Sequence, residues 1–232
     1  MSASPPIADR FTFGVVLLAA GRSSRMGQPK LVLPWGPTSV LGHLLAQWGR
    51  LGAQQIGVVC AAGDHILAAE LERLAFPAAG RIYNPTPEQG MFSSIQAASH
   101  WPGWSRDLTH WAIVLGDQPH LRPGTLSGIT QFSATHPEKV CQPARGGHGR
   151  HPVFLPQSVF SRIGVSKAAN LKEFLRAIPG VGALWESADE GLDLDLDHPE
   201  DYRALLKLAP GVDRSPADST TKNTENAKSR QD

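Results

Sequence analysis

The 232-residue chain is 41% hydrophobic and 19% charged, enough apolar material for one large α/β core or two small ones. Its formal net charge of +1 supplies no broad basic field, which argues against nucleic acid as a main partner. Cys60 and Cys141 are the only cysteines; they exclude a disulfide framework and read as small buried hydrophobes in a reducing compartment. The start MSASPPIADR has neither the basic residues nor the apolar stretch of a signal peptide, and no apolar run nears the roughly 20 residues of a bilayer span, so a cytoplasmic location is expected.

Residues 1–10, polar and proline-containing, read as a loose leader. FGVVLLAA (13–20) is predicted as a strand apolar on both faces, as a central parallel strand is. TSVLGHLLAQWGRLGA (38–53) opens on a Thr/Ser cap and repeats Leu41, Leu44, Leu45 and Trp48 at helical spacing. QIGVVCAA (55–62) follows as a strand, GDHILAAELERLA (63–75) as a helix capped by Asp64, and RIYNP (81–85) as a strand. A helix is expected over 91–101, just after Gly90, then a strand over 110–119 and a helix over 122–136. KVCQPAR (139–145) and HPVFLP (151–156) are expected to pair as strands. A helix over 167–178, the alternating run 192–197 and a helix over 201–208 close the core. Beyond about Pro210 the composition falls to Ser, Thr, Asn, Asp and Lys, the mark of a disordered tail, which leaves 11–209 as a single domain. Strand and helix alternating from the start predict a mostly parallel sheet covered by helices. In such sheets ligands bind beyond the carboxyl ends of the strands.

Three of those ends carry unusual residues. After the first strand comes Ala19-Ala20-Gly21-Arg22-Ser23-Ser24-Arg25-Met26-Gly27, small residues where a backbone turns sharply, with Arg25 and Lys30 close by. Its amides can hold phosphate oxygens, and the two cations can add charge-assisted bonds. The loop lacks both the GK[ST] of a Walker loop and the GxGxxG of a dinucleotide fingerprint. Asp117, ending an apolar strand in Gly116-Asp117-Gln118-Pro119, can hold Mg²⁺ or cap its own turn. Asp193-Leu194-Asp195-Leu196-Asp197 alternates like a strand, which would place three carboxylates on one face. After the third strand, Asn84, Gly90, Met91, Ser93 and Ser94 surround a helix start whose opening amides can donate to a ligand. The six tryptophans show no stacking pattern and read as packing residues.

LAAGRSSRMGQPKLVLPW resembles the signature LAAGxSxRMGxxK of the molybdenum cofactor cytidylyltransferase family, and the resemblance continues through NPTPEQGMFSSI, LGDQP, HPVFLP and DLDHPEDY. The resemblance implies a three-layer αβα sandwich with a mostly parallel, mixed sheet: the Rossmann-like nucleotide-diphospho-sugar-transferase (GT-A-like) fold. It implies an Mg²⁺-dependent transfer of CMP from CTP to the terminal phosphate of a molybdopterin cofactor, with release of pyrophosphate. Ala20, where related guanylyltransferases carry glycine, favours CTP over GTP. By the same resemblance Leu18, Ala19, Ala20, Gly21, Ser23, Ser24, Arg25 and Lys30, with Asn84, Gly90, Met91, Ser93 and Ser94, bind the nucleotide. Arg25, Lys30 and Asp117 act in catalysis, and Asp117 and Asp197 hold the metal. Gly149-Arg150-His151-Pro152 resembles a GHP motif that faces the acceptor, with Arg150 in place of glycine. Arg150 and His151 are the expected acceptor residues, and Arg145 joins Arg150 as a partner for an anionic group. The departure at Arg150 keeps open a sugar- or alcohol-phosphate acceptor. A non-catalytic pterin carrier is a further reading, against which the acidic positions argue; the recipient molybdoenzyme is a further expected partner.

Overall fold

The computed structural model describes residues 11–21 and 24–209. The expected leader and tail, with Arg22, Ser23 and the side chain of Ser24, lie outside the described residues. The chain opens with β1 (Phe13–Leu18), a short hairpin of β2 (Pro34–Trp35) and β3 (Thr38–Ser39), and α1 (Val40–Arg50). There follow β4 (Gln55–Ala61), α2 (His65–Arg73), β5 (Arg81–Asn84), α3 (Met91–His100), β6 (His110–Leu115) and α4 (Pro123–Thr135). Then come β7 (Val140–Arg145), β8 (His148–Gly149), β9 (Val153–Pro156), α5 (Gln157–Ile163), α6 (Leu171–Arg176), β10 (Gly182–Glu186) and α7 (Pro199–Leu206).

The main sheet runs β10-β7-β9-β6-β1-β4-β5, with β8 paired to β7. β1 lies in its interior, parallel to both β4 and β6, while β9 runs antiparallel between β6 and β7. Side chains of β1 alternate between two cores. Val15 and Leu17 join α1, α2, α4 and α7 on one face, and Val16 joins α3, α5 and α6 on the other. The result is the three-layer αβα sandwich with a mixed, mostly parallel sheet. The helix starts follow local chemistry. Ser39 caps α1 by accepting from the Gly42 amide at 3.0 Å, and Asp64 caps α2 by accepting from Leu67 at 3.0 Å. Trp111 stacks on Phe160 at 4.5 Å and Trp101 meets Trp104 edge-on at 4.8 Å, so these tryptophans converge on packing under α3 and α5. Among the described residues no helix is long and apolar enough to cross a membrane.

Residues 192–197 depart from expectation. They form no strand: a 3₁₀ turn spans Glu190–Asp193 and irregular chain follows. The Asp189 carboxylate accepts from the Gly191 amide at 3.0 Å and starts that turn, while Leu192 and Leu196 sink into the first core and Leu194 stays exposed. The helix expected over 167–178 is confined to Leu171–Arg176, capped by Asn170. The α5 helix, directly after β9, was not legible in the sequence.

Candidate active site

The carboxyl ends of β1 and β6 and the start of α3 enclose a crevice of about 480 Å³. Leu18, Ala19, Ala20, Gly21, Lys30, Gly90, Met91, Ser94 and Asp117 line it, all anticipated from the sequence; Leu31, Pro87, Glu88, Leu115 and Gly116 complete it. Close approach shapes its floor. A Cβ on Gly116 would stand 2.8 Å from the Leu18 carbonyl oxygen and 2.9 Å from Leu31 Cδ2. Only glycine lets the end of β6 pass so near β1 and deliver Asp117 to the rim. Gly90 holds φ 91° and ψ −178°, a conformation essentially reserved for glycine, where the chain turns into α3.

Three separated stretches meet at one end of the crevice. Lys30 begins a 3₁₀ turn anchored by buried Leu31, and Arg25 lies in a turn anchored by buried Met26. Asp197 is brought in by its neighbours: the Leu196 amide donates to the Asp117 carbonyl at 2.9 Å. Asp201, at the start of α7, accepts from the amides of Asp197 and His198 at 3.3 and 2.8 Å. Lys30 Nζ donates to Asp117 Oδ2 at 2.9 Å and to Asp197 Oδ1 at 3.2 Å, while Arg25 lies 2.8 Å from Asp197 Oδ2. The Lys30, Asp117 and Asp197 side chains are 16, 22 and 24% exposed and Arg25 is 64% exposed, so the lysine pairs are the more desolvated.

Asp117 Oδ1 is buried and lacks a hydrogen-bond partner among the described residues. An unsatisfied carboxylate oxygen beside a second carboxylate, with one ammonium spanning both, is a hard-oxygen donor set suited to a divalent cation. No group of three or more His, Cys, Asp or Glu side chains able to hold a metal occurs among the described residues. Asp195 stands at the edge of the cluster, accepting from Gln118 Nε2 at 3.0 Å. Burial first, and then the charge of Asp117, hold its carboxyl above the usual range.

The segment after β5 divides in two. Ser94 and Met91 face the crevice, whereas Asn84 and Ser93 belong to the wall behind it. Asn84 Nδ2 donates to Ser93 Oγ at 2.8 Å and Ser94 Oγ at 3.0 Å, and its Oδ1 accepts from the Thr86 amide at 2.9 Å. Asn84 is 1% exposed, so it acts on the loop that carries Pro87, Glu88 and Gly90. Glu88 gave no sequence signal beyond its place in NPTPEQGM.

A second cavity, about 390 Å³, shares Leu115 with the first and is lined by Gln118, Arg150, His151, Asp193 and Asp195. Both arginines expected to meet an anion are paired internally: Asp193 accepts from Arg150 Nε at 2.8 Å through one oxygen and from Arg145 through the other. His151 Nδ1 donates to the Ile113 carbonyl at 3.2 Å, and burial holds its pKa below the ordinary imidazole value.

Residues 15–181 match the MobA-like NTP transferase domain family. The chain is 25% identical over 190 residues to the molybdenum cofactor cytidylyltransferase of Escherichia coli K12, spanning 81% of this chain and 92% of that protein. A 111-residue stretch is 33% identical to the probable molybdenum cofactor guanylyltransferase of Mycobacterium ulcerans, covering 44% of this chain and 55% of the relative. Rv0371c from Mycobacterium tuberculosis H37Rv superposes with a TM-score of 0.65 at 25% identity, over 85% of this chain and 98% of the other. The same protein in complex with manganese superposes with a TM-score of 0.62 at 24% identity, over the same shares of the two chains. A crevice at the carboxyl ends of parallel strands β1 and β6, with Lys30, Arg25, Asp117 and Asp197 meeting at one end, agrees with a family match over most of the folded residues: the chain belongs to the MobA-like NTP transferase family and is a nucleotidyltransferase.

Proposed function

We propose that this nucleotidyltransferase transfers CMP from CTP to the terminal phosphate of a molybdopterin cofactor. An oxygen of that phosphate attacks the α-phosphorus of CTP, the bond from the α-phosphorus to the bridging oxygen breaks, and pyrophosphate leaves with the electron pair. Such a reaction needs positioning and charge neutralisation rather than a covalent nucleophile. The observation that carries the reading is the meeting of Lys30, Arg25, Asp117 and Asp197 at one end of the crevice.

In this reading the amides around Ala20 and Gly21 hold the triphosphate, and Gly21, with nothing within 4 Å of a Cβ position, leaves space for it. Lys30 and Arg25 neutralise charge on the α-phosphate and the leaving pyrophosphate. Ser94 and the start of α3 orient the base and ribose. Asn84 and Ser93 support this surface from behind and do not touch the nucleotide. Mg²⁺ would be held by Asp117 and Asp197 and would supply a dication that offsets phosphate charge; the mycobacterial relative crystallised in complex with manganese agrees with a divalent ion as the metal. The adjoining cavity beside Arg150 and His151 takes the acceptor. Ala20 and the Escherichia coli relative favour CTP; the stretch shared with the guanylyltransferase supports GTP as the second reading.

Thermal-shift titrations with CTP, GTP, ATP and UTP, each with Mg²⁺, followed by pyrophosphate release in the presence of molybdopterin, test this. A ligand at 100 times its Kd stabilises the native state by about 2.7 kcal/mol. CTP is expected to give the largest shift and the fastest release. A larger response to GTP moves the assignment to guanylyl transfer, and binding without pyrophosphate release refutes the transfer.

A further inference from the structure

Asp197 reaches the crevice on a segment that belongs to no strand, and the loop after β6 holds that segment where a strand partner otherwise would. We infer that Asp189 and His120, buried residues that do not line the crevice, are positioning residues for Asp197. They clamp residues 189–197 onto residues 117–122 in the register that sets Asp197 beside Asp117. What the clamp serves rests on the nucleotidyl-transfer reading above; the clamp itself does not.

The two stretches are cross-linked in opposite chain directions. The Arg122 amide donates to Asp189 Oδ2 at 3.2 Å, and His120 Nε2 donates to the Gly191 carbonyl at 2.9 Å. Further along, Gln118 Nε2 donates to Asp195 Oδ1 at 3.0 Å and the Leu196 amide to the Asp117 carbonyl at 2.9 Å. Asp189, 4% exposed, anchors the far end. It also accepts from Thr125 Oγ1 at 2.6 Å and from the Gly191 amide at 3.0 Å, with the Arg122 guanidinium 3.4 Å away. One carboxylate thereby ties the first turn of α4 to the 3₁₀ turn at Glu190–Asp193, and losing it leaves several buried donors unpaired. Gly191 is fitted between the two residues: a Cβ there would stand 3.0 Å from His120 Cδ2 and 3.1 Å from Asp189 Oδ1. Past the clamp, the Leu194 amide donates to the Gly191 carbonyl at 3.1 Å, and Leu192 and Leu196 are buried, so the turn sets where the chain arrives at Asp197. Asp201 holds Asp197 from the α7 side. The grip of Asp193 on Arg145 and Arg150 is a third of the way open to solvent and is a weaker tie than the buried one.

The test is hydrogen exchange at the Leu196 amide in the full chain without ligand, followed by kcat for pyrophosphate release. Asp189→Asn keeps the size of the side chain but turns an NH₂ group against donors. Its Leu196 amide is expected to exchange about tenfold or more faster than in wild type, beyond any change at the amides of β1 and β4, which report global stability. Its kcat is expected to fall about 10–10²-fold, the scale for a small misplacement of an acting group. In an Asp197→Asn background the same substitution should cost less than about twofold, because the group it positions is gone. His120→Leu repeats both effects and serves if Asp189→Asn melts early; His120→Gln, whose amide can donate to the Gly191 carbonyl, restores them. Ile163→Ala, in the other core, lowers the melting temperature without the local exchange effect. Wild-type exchange at Leu196 in both Asp189→Asn and His120→Leu overturns the clamp. A kcat loss that is equally large in the Asp197→Asn background overturns the positioning of Asp197. If the wild type releases no pyrophosphate, the transfer reading falls, and the exchange rates alone decide the clamp.

Discussion

Replacing Gly116 with alanine probes how tightly the site is built on the sheet. The new Cβ would stand 2.8 Å from the Leu18 carbonyl oxygen and 2.9 Å from Leu31 Cδ2, against the 3.4 Å at which ordinary contact begins. The leucine methyl can rotate; the carbonyl belongs to β1, which is hydrogen-bonded on both sides within the sheet and cannot move freely. Overpacking of this kind costs about 1–3 kcal/mol. For a chain of this size each kcal/mol moves the melting temperature by about 2–4 °C, so a loss of roughly 2–12 °C is expected in scanning calorimetry. The strain is relieved by displacing Leu31 or the end of β1, both of which line the crevice, so nucleotide affinity falls in the same variant. Gly21→Ala is the control with the opposite signature. Its Cβ meets nothing, so stability holds while space for the triphosphate is lost. A Gly116→Ala protein that melts within about 1 °C of wild type and binds CTP unchanged would refute this account of the close approach.

Lys30→Ala should lower kcat/KM by about 10²–10³-fold, the scale for removing one charge-stabilising donor, and circular dichroism should show an intact fold. Burial holds the pKa values of His43, His110 and His151 below the ordinary imidazole value. The unfolded chain therefore binds more protons as pH falls below about 6.5, and stability present above that pH is lost towards the folded-state values. Melting temperature should drop between about pH 7 and pH 5, and His110→Gln should flatten the drop; a melting temperature that rises on acidification contradicts the sign. Burial pushes the Cys60 thiol up to about 12. Iodoacetamide at mildly alkaline pH is expected to spare it in the native protein and label it after unfolding, and rapid native labelling would count against its place in the core.

Much of the fold was legible because its signals are local. The apolar run Phe13–Leu18 fits only a strand covered on both faces, and Ser39 and Asp64 announce the helices they cap. The alternation Asp193–Asp197 misled, since period two also arises where a turn directs Leu192 and Leu196 inward without a strand partner. Lys30, Asp117 and Asp197 could be nominated one by one, each from its own loop. Their mutual contacts depend on Leu196 docking on Asp117, which no window of sequence contains. Asn84 and Ser93 are legible as polar residues of a ligand loop, whereas the hydrogen bonds that tie them to each other and to Thr86 are not. Glu88 and the grip of Asp193 on two arginines are purely spatial facts.

The contact between Lys30 and Asp197 joins positions 167 residues apart. During synthesis the amino-terminal half of the sheet can form long before the acidic partner leaves the ribosome, so the electrostatic centre is among the last features to appear. Proteolytic clipping between Leu171 and Leu196 would likewise spare β1, β4 and β6 while severing the link that presents Asp197. Appearance of activity on a growing or refolding chain would thus report that Lys30 and Asp197 have come together.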